Sequence, residues 1–248
     1  MLGVIGFGNM GSSFVKRLHK DYKISVYDKD KSKLLNSEGL SFEAKDSLEE
    51  LLEVSETLLL CVKPKDALDV LKSLSSWQGT IISCVAGLEI AKIQRFVKAR
   101  VVRIMPNLAV SVGLGSIAVC GDVSEDVRRM LSRCGEVFEL EEGLFDAFTA
   151  IAGSGPAFFY KFLQGMVLGG VYLGMSKESA LKVSLQSILG ACELLKNNGS
   201  LEELIFKVSS PGGTTIEGIK LLEEKAFCGI VLECIAKTAQ KSKLLSTL

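Results

Sequence analysis

Histidine is almost absent from this chain of 248 residues: His19 is the only one. That scarcity leaves a Ser-His-Asp hydrolase, a histidine proton relay and a histidine-ligated zinc centre without their central group. His19 itself lies at the far end of a helical stretch, just before Asp21, where a cation suits the helix C-terminus and catalysis has no use for it. Net charge is missing as well. Lys plus Arg and Asp plus Glu number 29 each, so there is no electrostatic footprint for nucleic acid, and any bound anion must be held by local amides and dipoles. Apolar runs of membrane-spanning length are lacking; the longest, Phe162 to Met175, contains Gln164 and follows Lys161. No basic segment or cleavage site precedes the first strand at residue 2, so no leader and a cytoplasmic location are expected. The seven cysteines (Cys61, Cys84, Cys120, Cys134, Cys192, Cys228, Cys234) are odd in number and include no C-x-x-C pair. Buried reduced thiols, and no metal, are the expectation.

What is present begins at the N-terminus. The apolar Leu2-Gly3-Val4-Ile5 leads into Gly6-Phe7-Gly8-Asn9-Met10-Gly11 and then a helix-like stretch from Ser12 to Leu18. This is G-x-G-x-x-G between a strand and a helix: the first glycine permits the tight turn, the second lets backbone approach a pyrophosphate, and the third lets helix and strand pack closely. Lys23 to Tyr27 reads as a second strand, and Asp28 follows it where an acidic side chain would accept hydrogen bonds from an adenosine ribose. A dinucleotide is therefore expected at this end.

Further along, strands are expected near 2–5, 23–27, 57–62, 80–85, 101–105, 116–120 and 136–140, with helices between most of them. The pattern is a doubly wound α/β sheet that closes with antiparallel strands, since the last connections are short. After Leu144 the strand signals stop. Helices are expected at 156–174, 177–197, 201–208, 214–225 and 227–245, with Pro156 at a helix start, Gly199 at a helix end and a Ser200–Glu203 capping box. Two domains follow, 1–147 and 148–248. Gly165, Gly169, Gly170 and Gly174 form a small-residue stripe on the first of these helices, and a helix set this apolar has little core of its own, so close packing against a partner subunit is expected there.

One turn in this helical region stands out. Ser209-Ser210-Pro211-Gly212-Gly213-Thr214-Thr215 runs into Ile216, Ile219 and Leu222 at helical spacing. Free first-turn amides, the positive end of the helix dipole and two hydroxyls converge beside bare glycine backbone, which suits a carboxylate or phosphate. Turn chemistry with a threonine N-cap uses the same residues. Two strand exits, Val62-Lys63-Pro64 and Pro106-Asn107, fall at the sheet edge where nucleotides bind.

Taken in order, Gly6 to Gly11, Val62-Lys63-Pro64, Met105-Pro106-Asn107, Gly153-Ser154-Gly155-Pro156-Ala157 and Ser210 to Glu224 resemble pyrroline-5-carboxylate reductase over essentially the whole chain. The resemblance implies a Rossmann-type doubly wound sheet followed by an all-helical dimerisation domain, and reduction of 1-pyrroline-5-carboxylate to L-proline with NADPH or NADH. It implies a homodimer, with assembly into a decamer as a further option. By the same resemblance Gly212, Gly213, Thr214 and Thr215 hold the substrate carboxylate, and the Thr215 hydroxyl meets the ring nitrogen as the catalytic group. Gly6, Phe7, Gly8, Asn9, Met10, Gly11, Asp28, Val62, Lys63, Pro64 and Asn107 would meet the cofactor. Leu108-Ala109 stand where the family commonly has Thr-Pro, which leaves the role of Asn107 open. Two other classes compete. A hydroxyacid dehydrogenase would place a lysine at the position of Phe159, and a non-catalytic dinucleotide-binding protein would not need the Gly212–Thr215 turn. Asp28 favours NADH while Lys29, Lys31 and Lys33 attract a 2′-phosphate, so both cofactors with a mild NADH preference are expected.

Overall fold

A computed structural model describes residues 1–35, 37 and 39–246. Strands β1 (Leu2–Ile5), β2 (Ile24–Tyr27), β3 (Glu43–Ala44), β4 (Thr57–Leu60), β5 (Thr80–Ser83), β6 (Arg100–Pro106), β7 (Gly115–Gly121) and β8 (Gly135–Glu139) form one sheet in the order β3-β2-β1-β4-β5-β6-β7-β8. Helices α1 (Asn9–Leu18), α2 (Ser32–Leu35), α3 (Leu48–Val54), α4 (Pro64–Ser73), α5 (Ile90–Ile93), α6 (Glu125–Ser132) and α7 (Phe145–Phe148) connect them.

Both faces of the strands are buried, so the apolar residues split by alternation. Leu58 and Leu60 join one cluster with Leu51, Leu71 and Ile81, while Leu59 joins the other with Phe14, Leu18 and Val102. The sequence order reverses between β1 and β4, which opens a crevice at the C-terminal ends of those strands.

Two details depart from the expected sheet. The short strand β3 pairs in parallel with β2. The edge also differs: β7 is antiparallel to β6 as expected, but β8 is parallel to β7, because α6 makes a crossover between them.

Beyond a π-helical turn at Thr149–Ser154 come α8 (Gly155–Tyr172), α9 (Lys177–Asn198), α10 (Leu201–Val208), α11 (Thr214–Glu224) and α12 (Phe227–Ser246). Ser200 Oγ accepts from the Glu203 amide, and Gly199 ends α9 in the left-handed region, as the capping pattern implied. The chain divides into two compact units. One comprises Met1–Gly153 and residues from Thr238 onward; the other comprises Ser154–Lys237.

The second unit buries very little in a single copy: Leu163, Ala180 and Ser184 are its only buried residues among those described. Tyr172 is 90% exposed and Phe206 80%. This corrects the expectation of buried thiols for Cys192, Cys228 and Cys234, which are exposed on these helices, and none of the seven cysteines forms a disulfide among the described residues. Gly170 faces Ala180 of α9, where an added Cβ would stand 2.9 Å from the Ala180 Cβ, so its close packing is within the chain; Gly165 and Gly169 face open space. Among the described residues, no helix is long and apolar enough to cross a membrane.

One buried charge organises the β6 side of the first unit. Arg103, 5% exposed, donates to Glu142 Oε1 at 2.8 Å and lies 4.7 Å from the Phe145 ring centroid. The same carboxylate oxygen accepts from the Ile90 amide at 2.9 Å, so Glu142 ties α5 and β6 together. Glu142→Gln should lower the unfolding free energy by about 1.5–3 kcal/mol in denaturant titration, the worth of a hydrogen bond to a charged group. A change under about 0.5 kcal/mol would mean that solvent reaches the guanidinium.

Candidate functional site

The glycine loop is compressed against its surroundings. Gly6 has φ +95°, and a Cβ on it would stand 2.7 Å from the Cys61 carbonyl oxygen; one on Gly11 would overlap the Gly6 carbonyl oxygen. Gly8 differs, since a Cβ there meets nothing within 4 Å. It is the N-cap of α1, no side chain caps that helix, and its first turn carries no acidic residue. Unshielded first-turn amides therefore point where the backbone is bare, a cradle that fits a pyrophosphate.

The other expected loop residues act differently. Phe7 turns its ring into the core against Phe42, with centroids 5.2 Å apart, and leaves only backbone at the loop. Met10 packs on the same core, while the Asn9 carbonyl accepts from the Ser13 hydroxyl at 2.6 Å. Asp28 anchors the loop, for its Oδ2 accepts from the Phe7 amide at 2.7 Å. Burial works to raise the Asp28 carboxyl, but the Phe7 and Asp30 amides and the Lys33 ammonium outweigh it and hold the group below the usual carboxylate range.

Gly6, Gly8, Asp28, Cys61, Val62 and Lys63 line a cavity of about 220 Å³ in the crevice beside β1 and β4. Lys63 caps α4 and Pro64 occupies its first turn, so the chain turns away from the sheet edge there. Cys61, which lines this cavity, has a second thiol beside it that the sequence pattern does not single out. Cys84 Sγ lies 3.1 Å from Cys61 Sγ, and that neighbouring thiol, together with burial, pushes the Cys61 thiol well above its ordinary range. Both effects keep the Cys61 thiol neutral where it lines the cavity. Lys29, Lys65 and Asp66 also line the cavity; the run Lys63-Pro64-Lys65 was the available signal. A larger hollow of about 960 Å³ lies at the opposite ends of the strands, where Lys23, Glu56, Arg100 and Asp126 mix both signs and converge on nothing.

Asn107 is not among the residues lining the smaller cavity. Its Nδ2 donates to the Ala152 carbonyl at 3.0 Å, and its Oδ1 accepts from the Ala109 and Ser116 amides. The side chain thus braces the π-helical turn against β7. Ala109 supplies an N–H to this bracket that a proline at that position would lack.

In the second unit, the Gly212-Gly213 turn has the expected shape. Gly212 takes φ +65°, the Gly213 amide donates to the Ser210 carbonyl at 3.0 Å, and a Cβ on Gly213 would collide with Ser210 Oγ. Gly213, rather than a threonine, is the N-cap of α11. Thr214 and Thr215 occupy the first turn, exposed, and among the described residues their hydroxyls make no hydrogen bond. Two hydroxyls and the leading amides are left for an anion. Among the described residues no cluster of His, Cys, Asp or Glu is suited to a metal.

Residues 142–245 match the family pattern described as pyrroline-5-carboxylate reductase dimerisation, and residues 1–87 match that described as NADP oxidoreductase, coenzyme F420-dependent. The pyrroline-5-carboxylate reductase of Aquifex aeolicus is 44% identical over 98% of this chain and 97% of its own. This chain belongs to the pyrroline-5-carboxylate reductase family. Its architecture agrees: the Streptococcus pyogenes pyrroline-5-carboxylate reductase superposes with a TM-score of 0.88 at 32% identity, covering 98% of this chain and 97% of that one. The pyrroline carboxylate reductase of Plasmodium falciparum, solved with NADP bound, gives 0.86 at 30% identity over 99% and 97%. A pyrroline-5-carboxylate reductase dimerisation segment also accounts for the bare apolar surfaces of α8, α9, α10 and α12.

Gly8 and Gly11 separate binding from folding. Gly8→Ala should unfold near the wild-type denaturant midpoint yet bind dinucleotide at least about 10-fold more weakly by calorimetry, because its methyl group enters the cradle. Gly11→Ala should fail in folding itself. Unchanged dinucleotide affinity in Gly8→Ala would place the pyrophosphate elsewhere.

Proposed function

We propose that this protein reduces 1-pyrroline-5-carboxylate to L-proline with NADPH or NADH, the last step of proline biosynthesis, with 1–147 as the dinucleotide-binding domain and 148–248 as the helical dimerisation and substrate-binding domain. The observation that carries this reading is the α11 N-terminus, where Gly213 caps the helix and leaves the Thr214 and Thr215 hydroxyls uncommitted. The glycine cradle at α1 supports the cofactor.

The chemistry follows from the electrophile. A cyclic imine accepts hydride readily only when its nitrogen is protonated, so the site must hold an iminium whose carboxylate is anchored. Thr214 and Thr215 anchor the carboxylate through their amides and hydroxyls, Gly212 and Gly213 leave its approach free of side chains, and the dipole of α11 favours the negative charge. The Thr215 hydroxyl accepts from the ring N–H as the nitrogen passes from iminium to amine. A dinucleotide held along the loop of Gly6, Gly8 and Gly11 would supply the hydride for the imine carbon. No histidine is needed, which agrees with the composition. At least a dimer forms, with the decamer as the larger assembly, and the enzyme works in the cytoplasm. A hydroxyacid dehydrogenase is disfavoured because Phe159, not lysine, follows the Gly153–Pro156 segment at the required place.

Thr215→Ala should lose about 10- to 100-fold in kcat/KM for pyrroline carboxylate while keeping its cofactor affinity, the cost of one hydrogen bond to a charged group. Thr215→Ser should recover most of it. Wild-type turnover by Thr215→Ala would reduce the hydroxyl to a bystander, and absence of imine-dependent NAD(P)H oxidation in the wild type would overturn the reading altogether. Sedimentation should show at least a dimer, and an active monomer would contradict the assembly.

A further inference from the structure

Asp28 stands where a carboxylate at the end of β2 would receive a ribose hydroxyl, but its acceptors are already in use. Oδ2 accepts from the Phe7 amide at 2.7 Å and from Lys33 Nζ at 3.0 Å; Oδ1 accepts from the Asp30 amide at 2.8 Å and from the same Nζ at 3.0 Å. Two lone pairs per oxygen are thereby filled. The carboxylate is 5% exposed, whereas the Lys33 side chain is 41% exposed and reaches it from the solvent side. A ribose hydroxyl approaching Asp28 must first displace an ammonium, exchanging an ion pair for a weaker neutral hydrogen bond.

The rest of the cavity is biased the same way. Lys29, Lys33, Lys63 and Lys65 line it against only two carboxylates, Asp28 and Asp66. Lys29 rests on Asp66 Oδ1 at 2.6 Å, so it, like Lys33, is a cation parked on a carboxylate at the rim. A phosphate monoester, with a charge of about −2 near neutral pH, offers such cations a stronger partner than a hydroxyl does.

We infer that Lys33, with Lys29 beside it, selects the cofactor by taking up a 2′-phosphate, and that Asp28 is a positioning residue for the glycine loop rather than a ribose ligand. This rests on the proposed dependence on NADPH or NADH and reverses the mild NADH preference that the carboxylate type alone implies. Asp28 keeps its bond to the Phe7 amide in either case, and Lys33 moves between two anionic partners. The neutral adenosine ribose of NADH leaves both lysines where they rest.

Calorimetric titration of the intact protein with NADP⁺, NAD⁺, 2′,5′-ADP and 5′-AMP separates these roles without relying on turnover. The wild type should bind NADP⁺ at least about 10-fold more tightly than NAD⁺, and 2′,5′-ADP more tightly than 5′-AMP by a similar factor. Lys33→Met should bring both ratios close to one, Lys33→Arg should keep them, and Lys29→Met should lower them in part. Asp28→Asn should lower the thermal midpoint and weaken all four ligands together. Equal wild-type affinity for NADP⁺ and NAD⁺, or a Lys33→Met variant with unchanged ratios, would overturn the inference. The activity reading fails separately: ratios that depend on Lys33 in a protein that reduces no cyclic imine would support the lysine assignment and reject the substrate.

Discussion

The carbonyl oxygen of Gly6 occupies the space in which a side chain at Gly11 would stand, and the cofactor end of the sheet is arranged around that contact. With β1 and α1 so close, the helix axis is set by the strand, and the leading amides of α1 can point in only one direction. Cys61 on the neighbouring chain segment fills the other side of Gly6, so the loop is held from both flanks. Asp28 then fastens it from above through Phe7. The conformation of the glycine loop is thus a product of packing, which is why it stands formed without a ligand.

Much of this was legible, because the informative residues act through local rules. G-x-G-x-x-G constrains backbone wherever it follows a strand, and the punctuation of Pro211, Gly199 and Ser200 delimits helices without reference to tertiary contacts. What escaped the sequence depends on neighbours in space. The two-residue β3 shows no apolar pattern, being exposed throughout, and exists because the edge of β2 offers Ser25 and Val26 as partners. The type and position of Asp28 were visible, but the saturation of its oxygens required Phe7, Asp30 and Lys33 to be brought around it. Asn107 is similar: its place at a strand exit suggested a ligand contact, whereas its amide closes a bracket with Ala109, Ser116 and Ala152. The glycine stripe on α8 shows the same limit, since spacing alone could not say that Gly170 meets α9 while Gly169 faces open space.

The two units meet their energetic needs by different means. The first buries both faces of a sheet and is complete in one copy, whereas the helices of the second bury almost none of their large apolar residues. Helices of such composition are stable only when their faces are covered, so a dimerisation segment is a condition of the fold as well as of assembly. The Gly212-Gly213 turn proposed to hold the substrate carboxylate sits within that segment. Its shape is therefore tied to subunit association, although its chemistry is local.

The return of the chain end to the first unit bears on how the protein is made. Residues from Thr238 onward cluster with Met1–Gly153, and Ser242 Oγ donates to Asp146 Oδ1 at 2.6 Å across a sequence separation of 96. During synthesis at about 5–20 residues per second, the sheet and its flanking helices leave the ribosome well before this last turn of α12. The first unit must wait with the α7 side uncovered until α12 has been made. A nascent chain that stops short of α12 consequently lacks the closing piece of its oldest part.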